Sequence, residues 1–353
     1  MTSATEISLL RIAAQRLAGP RHATPADAVR WSLCVQGQEL PGALSAVALR
    51  TTDGSRAGVR AAMDAGDVVR SWPMRGTLHL VAGDDLPWLL ELLTARALSG
   101  VEKRREVVQL TVADLERSRE LAVGLLSGRR RLSRPDLLAA LGEAGALVDG
   151  PRGYHTLWFL SQTGTLVLGP TDGTEQQFVL LEEWLPGARR PEREEALGEL
   201  AWRYLAGHGP ATVPDLVRWA GLTVRDARAG LALVRDRLES TTVDGTEHWL
   251  DPATPELLAA HRADAQRVLL LPGFDELVLG YADRSCTVPA EHAARIVPGN
   301  NGVFRPTVVV GGVAVATWRV TGARRAVTVE AFGTLDPAVE ATVPDLAAGP
   351  AWA

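Results

Sequence analysis

Apolar positions recur at helical spacing in "LLRIAAQRL", "LAVGLL" and "LGELAWRYL", and each run predicts a helix with one buried stripe. Each leads into a stretch that repeats along the chain. "RLAGPRHATPADAVRW" (16–31), "LLSGRRRLSRPDLLAA" (125–140) and "YLAGHGPATVPDLVRW" (204–219) align without a gap. Every copy carries a glycine (Gly19, Gly128, Gly207), then Thr24, Ser133 or Thr212, then Asp27, Asp136 or Asp215 three positions on. Glycine tolerates the left-handed conformation that closes a helix. The hydroxyl can cap the next helix, with the aspartate at the positive end of its dipole. The spacing therefore predicts helix, tight turn and capped helix, the opening of a helix-turn-helix unit. Trp31 and Trp219 fall at equivalent positions and are read as core anchors.

Strand signals follow the hairpins. "RGTLHLV" (75–81) and "TGTLVLG" (163–169) are short strands, and "LESTTVDGTEHWL" (238–250) holds an Asp-Gly turn between strand-like flanks. Helices closed by a small hairpin are the plan of a winged helix. From about residue 266 the pattern turns to strands, with Gly311-Gly312 as a two-residue hairpin signal. Within that region "IVPGNNGVFRP" predicts a projecting loop or hairpin with Phe304 and Arg305 at its edge. The expected fold is α+β: three tandem winged-helix units over 1–100, 101–190 and 191–262, then a β-rich C-terminal module over 263–353.

Composition narrows the setting. A chain of 353 residues exceeds one ordinary core. No apolar run approaches the roughly 18 residues of a membrane span, so no membrane partner is expected. Cys34 and Cys286 stand far apart, which fits free thiols in a reducing cytoplasm, and no paired Cys/His spacing suggests a metal. The net charge is −5, yet arginines cluster at Arg104-Arg105, Arg129 to Arg131, Arg189-Arg190 and Arg324-Arg325. Such clusters are solvated faces or, together, a basic groove on an acidic body. Lys103 is the single lysine. Covalent imine chemistry needs an amine that can lose its proton, which guanidinium does not do.

Candidate chemistry is sparse. No Ser/His or Cys/His arrangement announces a nucleophile, and "GPTDGT" lacks the lysine and spacing of a phosphate cradle, so no nucleotide cofactor is expected. The adjacent acids Asp275-Glu276 follow an apolar strand, and pairing with arginines is their plain account. In "WSLCVQGQEL", Gln36 and Gln38 lie one residue apart just after the second helix of the first repeat, where the third repeat has "AGLTV". A helix would set them about 200° apart; an extended segment lets both amides converge. Three readings stand: buried amides tying the chain together, a bidentate adenine reader, or a clamp for water.

Five blocks in order, "CVQGQELPGAL", "VVRSWPMRGTLHLVAGDDLPWLL", "HGPATVPDLVRWAGL", "LPGFDELVLGYADRS" and "GNNGVFRPTVVVGGVAVATWR", resemble the AlkZ/YcaQ superfamily of bacterial winged-helix DNA glycosylases. The resemblance covers essentially the whole chain. It implies tandem winged helices forming a concave, basic DNA cleft, and catalysis by a Gln-x-Gln motif, here Gln36 and Gln38. Gly37 stands where the family carries a hydrophobic residue, which loosens the backbone between the two amides. The resemblance also implies a DNA-facing hairpin, mapped to "VPGNNGVFRPTVVV". The DNA contacts expected are Asn300, Asn301, Phe304 and Arg305, with Arg75, Arg129, Arg130 and Arg131.

The function so implied is monofunctional excision of cationic N7-alkylated purines from double-stranded DNA, with bulky adducts or crosslinks within its scope. It needs neither cofactor nor metal, and a cytoplasmic, nucleoid-associated monomer is expected. A non-catalytic winged-helix DNA-binding regulator is the rival reading, and a set of protein-interaction modules the third.

Overall fold

A computed structural model describes residues 3–173, 175–322 and 326–353. The chain folds as two compact units. Arg60–Ala196 forms one, and Met1–Val59 joins Leu197–Ala353 in the other. The hairpins of the first and third repeats thus share a unit with the C-terminal strands, while the second repeat belongs to the inserted unit.

The helix caps form as the spacing predicts. Thr24, Ser133 and Thr212 precede helices Pro25–Ser32, Arg134–Glu143 and Val213–Ala220, each hydroxyl accepting from the backbone N–H of the aspartate three residues on. Each cap contributes about 1 kcal/mol. At Thr212 the exchange is reciprocal, because Asp215 also accepts from the Thr212 N–H.

The expectation of three glycine-closed helices holds only at Gly128, which follows helix Val112–Leu126 with φ +80°. Helix Ala4–Ala14 closes instead through Arg16 (φ +56°), and Gly19 (φ +74°) turns the loop beyond it. Gly207 lies inside helix Arg193–His208. A Cβ there would sit 2.9 Å from the Trp31 carbonyl oxygen, so the first and third repeats pack at a separation that only glycine permits. Of the two equivalent tryptophans, Trp219 is sealed in the core. Trp31 is half-buried and donates its indole N–H to Ala14 O at 2.8 Å.

In the inserted unit the strands run in the order Thr77–Ala82, Val68–Met74, Leu166–Asp172, Glu175–Leu180 and Leu132–Ser133. Helices Val112–Leu126, Arg134–Glu143 and Pro151–Gln162 enclose a core of Trp72, Leu126, Leu137, Leu160 and Phe178 against them.

The other unit carries a four-stranded antiparallel sheet in the order Ala326–Ala331, Val313–Thr321, Thr307–Val310, Leu269–Leu271. Gly311 and Gly312, both with positive φ, make the turn that their sequence signals. Leu269, Leu271 and Val309 of this sheet share a core with Leu9, Ile12 and Leu17 from the N-terminal segment. The third repeat ends in the hairpin Glu239–Val243 and Thr246–Leu250, turned at Asp244-Gly245 as expected. Among the described residues no helix is long and apolar enough to cross a membrane, and no cluster of three His, Cys, Asp or Glu could hold a metal ion.

Candidate active site

Helix Pro25–Ser32 ends abruptly at Leu33, whose backbone takes φ +63°. A residue with a side chain adopts that region at a cost of about 1–3 kcal/mol, and Leu33 is fully buried, so packing holds it there. The reversal launches the short buried strand Cys34–Gln36. Gly37 follows, also buried, then Gln38, which is exposed, and helix Leu40–Ala48 begins. The two glutamines therefore straddle the surface, with one amide held by packing and the other open to solvent.

Gln36 is 8 % exposed, and its backbone N–H donates to Glu276 Oε1 at 3.2 Å. Its own Oε1 is buried and meets no donor among the described residues. An acceptor sealed in this way costs about 1–3 kcal/mol unless something donates to it. Beside an exposed second amide, it can receive a small donor such as water.

Glu276 comes from the strand-to-turn segment that the sequence marks by its paired acids. After strand Leu269–Leu271 the chain passes Phe274 (φ +62°) into the one-turn helix Glu276–Leu279, capped by Asp275. Asp275 does pair with an arginine: Arg50 meets it through two hydrogen bonds of 2.9 Å. Burial alone would disfavour the Arg50 charge, but attraction from Asp275, with its hydrogen bonds and the nearby Glu276, raises the guanidinium pKa above its ordinary value. Glu276 takes different partners. Its Oε2 accepts from Trp219 Nε1 at 2.8 Å and lies 3.5 Å from His208 Nε2, without hydrogen-bond alignment at the histidine.

A chain of buried polar groups supports this pair. Arg50 Nη2 donates to Gln15 Oε1 (2.7 Å), Gln15 Nε2 to Tyr281 Oη (2.9 Å), and Tyr281 Oη to His208 O (2.8 Å). The Arg11 guanidinium covers the Tyr281 ring at 3.6 Å, and Tyr204 stacks on His208 at 4.6 Å. Burial pushes both phenol pKa values up, so Tyr204 and Tyr281 serve as neutral donors. Neither Arg50 nor Glu276 has a sequence signal that joins it to the glutamines, and only the adjacency of Asp275 and Glu276 marked the region.

The residues expected at DNA divide between the two units. Asn300, Asn301 and Arg305 are exposed on the segment before strand Thr307–Val310. Phe304, expected at DNA, is 7 % exposed, 5.9 Å from the Phe274 ring and covered by the Arg284 guanidinium at 4.9 Å. Apolar burial draws it into the core, so it is a packing residue. Residues 298–306 form a short 3-10 turn and loop, and Thr307–Val310 then pairs with Val313–Thr321, which pairs in turn with Ala326–Ala331. Arg324 and Arg325 lie outside the described residues.

In the inserted unit Arg75 occupies the Met74–Thr77 turn with φ +54°, half-buried, its Nη2 3.4 Å from His79 Nε2. Arg129, Arg130 and Arg131 are exposed at the end of helix Val112–Leu126. Glu183 accepts from the Gly128 and Arg129 backbone N–H groups, and Arg130 folds back on Gly124 O and Ser127 O. Lys103 is exposed on helix Glu102–Val108.

Known proteins resemble this chain over most of its length. A curated interstrand DNA cross-link repair glycosylase of Streptomyces sahachiroi is 27 % identical over 323 residues, covering 88 % of this chain and 86 % of that protein. The solved structure of the Streptomyces sahachiroi DNA glycosylase AlkZ superposes with a TM-score of 0.82 at 24 % identity, over 98 % of this chain and 95 % of that one, a likeness of fold. The family model of AlkZ-like DNA glycosylases matches residues 29–349. The chain therefore belongs to the AlkZ-like family of DNA glycosylases, enzymes that hydrolyse N-glycosidic bonds in DNA.

Proposed function

We propose that the protein excises cationic N7-alkylated purines from double-stranded DNA as a monofunctional glycosylase, with Gln36 and Gln38 holding the attacking water. The observation that carries this reading is the buried Gln36 Oε1, without a protein donor among the described residues, two positions from an exposed amide. Alkylation at N7 puts positive charge on the purine and weakens its bond to C1′. When that bond breaks, its electron pair neutralises the ring, so no strong general acid is needed. Water adds to C1′ and its proton passes to solvent.

Two amide oxygens suffice to orient such a water and to offer negative dipole to a sugar that gains positive charge. Neither is basic enough to act on an unmodified nucleoside, which confines the enzyme to primed substrates. The sole lysine, exposed in the inserted unit, supports cleavage by water without a covalent imine. The three repeats are read as winged helices whose arginines grip phosphates. The relative named for cross-link repair supports extending the substrate class to bulky adducts and interstrand crosslinks. Incubation with duplex DNA carrying N7-methylguanine tests the reading. Wild type should leave abasic sites and Gln38→Ala few; DNA unaltered by wild type, across small and bulky adducts, would refute it.

A further inference from the structure

We infer that Glu276 is a positioning residue for excision, setting the aim of the Gln36 amide through the Gln36 backbone; this rests on the water-holding reading above. Gln36 ends a strand of only three residues. Its N–H is held by a carboxylate oxygen from a segment 240 positions away in the chain. That carboxylate is itself fixed twice over. It begins a helical turn capped by Asp275, and its second oxygen is held by the Trp219 indole and faced by His208.

The partners give this contact its meaning. Gln36 follows the second helix of the first repeat, and Trp219 lies on the second helix of the third. One carboxylate, 1 % exposed, thus joins the chain just after the second helix of the first repeat to the second helix of the third, and only the first carries the glutamine pair. The bridge attaches to a residue of the glutamine pair whose own buried side-chain oxygen meets no donor among the described residues. Displacement of a reacting group by about 1 Å costs on the order of 100-fold in rate, so a slack Gln36 backbone should show directly in the chemical step.

The test is a double-mutant cycle in single-turnover excision of N7-methylguanine, with wild type, Gln36→Ala, Glu276→Gln and the double variant. A carboxamide cannot accept from both Gln36 N and Trp219 Nε1, so Glu276→Gln should slow the chemical step about tenfold to 100-fold. Affinity for the same duplex should stay within about twofold, since the group does not touch DNA. The double variant should be no slower than Gln36→Ala alone, because Glu276 acts through Gln36. Multiplicative losses in the double variant, or an unchanged rate in Glu276→Gln, would overturn the inference and leave the glycosylase reading standing. Inactive wild type would bring down that reading first, and this one with it. Should Glu276→Gln fail to fold, Trp219→Phe frees the same carboxylate from its indole donor. The same non-additivity with Gln36→Ala is then expected, and independence refutes.

Discussion

Arg50 and Asp275 face each other through two 2.9 Å hydrogen bonds with both side chains sealed from solvent. Removing one partner of such a pair strands a buried charge, which costs about 3–5 kcal/mol. Arg50→Met should lose that much stability in urea unfolding. Replacing both, as Arg50→Met with Asp275→Leu, should cost distinctly less, because no charge is left alone. Single-variant losses that simply add in the double variant would show that the pair is not coupled.

The two glutamines should separate activity from stability. Gln38 is exposed, and Gln36 keeps an amide oxygen buried without a donor among the described residues. Gln38→Ala should therefore leave the unfolding free energy within about 0.5 kcal/mol. Gln36→Ala should change it by no more than about 1 kcal/mol, lost packing being offset by relief of that oxygen. Both should reduce excision by on the order of 100-fold. Abasic-site yield and chemical denaturation on the same samples provide the check.

His22 should contribute to acid sensitivity. Burial first, then the neighbouring Arg16 charge, lowers its pKa from 6.5 to about 4. A folded value below the unfolded one means that the native state holds the ring neutral. Stability from this site is full above pH 6.5, declines as pH falls, and is lost on passing about pH 4. Unfolding measured across that window should show a shallower decline in His22→Gln than in wild type.

Phe304 and its neighbour should part company. Phe304→Ala opens a hole in the core and should cost about 3–5 kcal/mol of stability, with DNA affinity altered only through folding. Arg305→Ala should leave stability nearly unchanged and weaken DNA binding. Arg129→Ala, Arg130→Ala and Arg131→Ala should each lower the slope of log affinity against log salt by about one, if each neutralises a phosphate. Fluorescence anisotropy over a salt series reads both effects.

What could be seen in the sequence was local. Thr24, Ser133 and Thr212 announced their helices because a cap and its aspartate lie within one turn. Asp244-Gly245 and Gly311-Gly312 announced hairpins because only such residues take those dihedrals cheaply. Gly207 misled for the same reason: its motif suggested a turn, while its use is to let Trp31 approach from 176 positions earlier in the chain. The burial of Phe304 was not legible, because a loop composition says nothing about which ring turns inward. The glutamines were legible as an asymmetry between repeats, but the carboxylate behind them was not. No spacing rule links positions 36 and 276, and folding alone brings them together.

That separation orders events during synthesis. Residues of the inserted unit leave the ribosome as one block and can settle early, whereas the first 59 residues must wait for partners from Leu197 onward. Gln36 gains its backbone acceptor only once Glu276 has emerged, so a nascent or prematurely terminated chain would display the glutamines without the support they need. On the proposed reading, competence to cut a base from DNA waits for a residue 240 positions beyond Gln36.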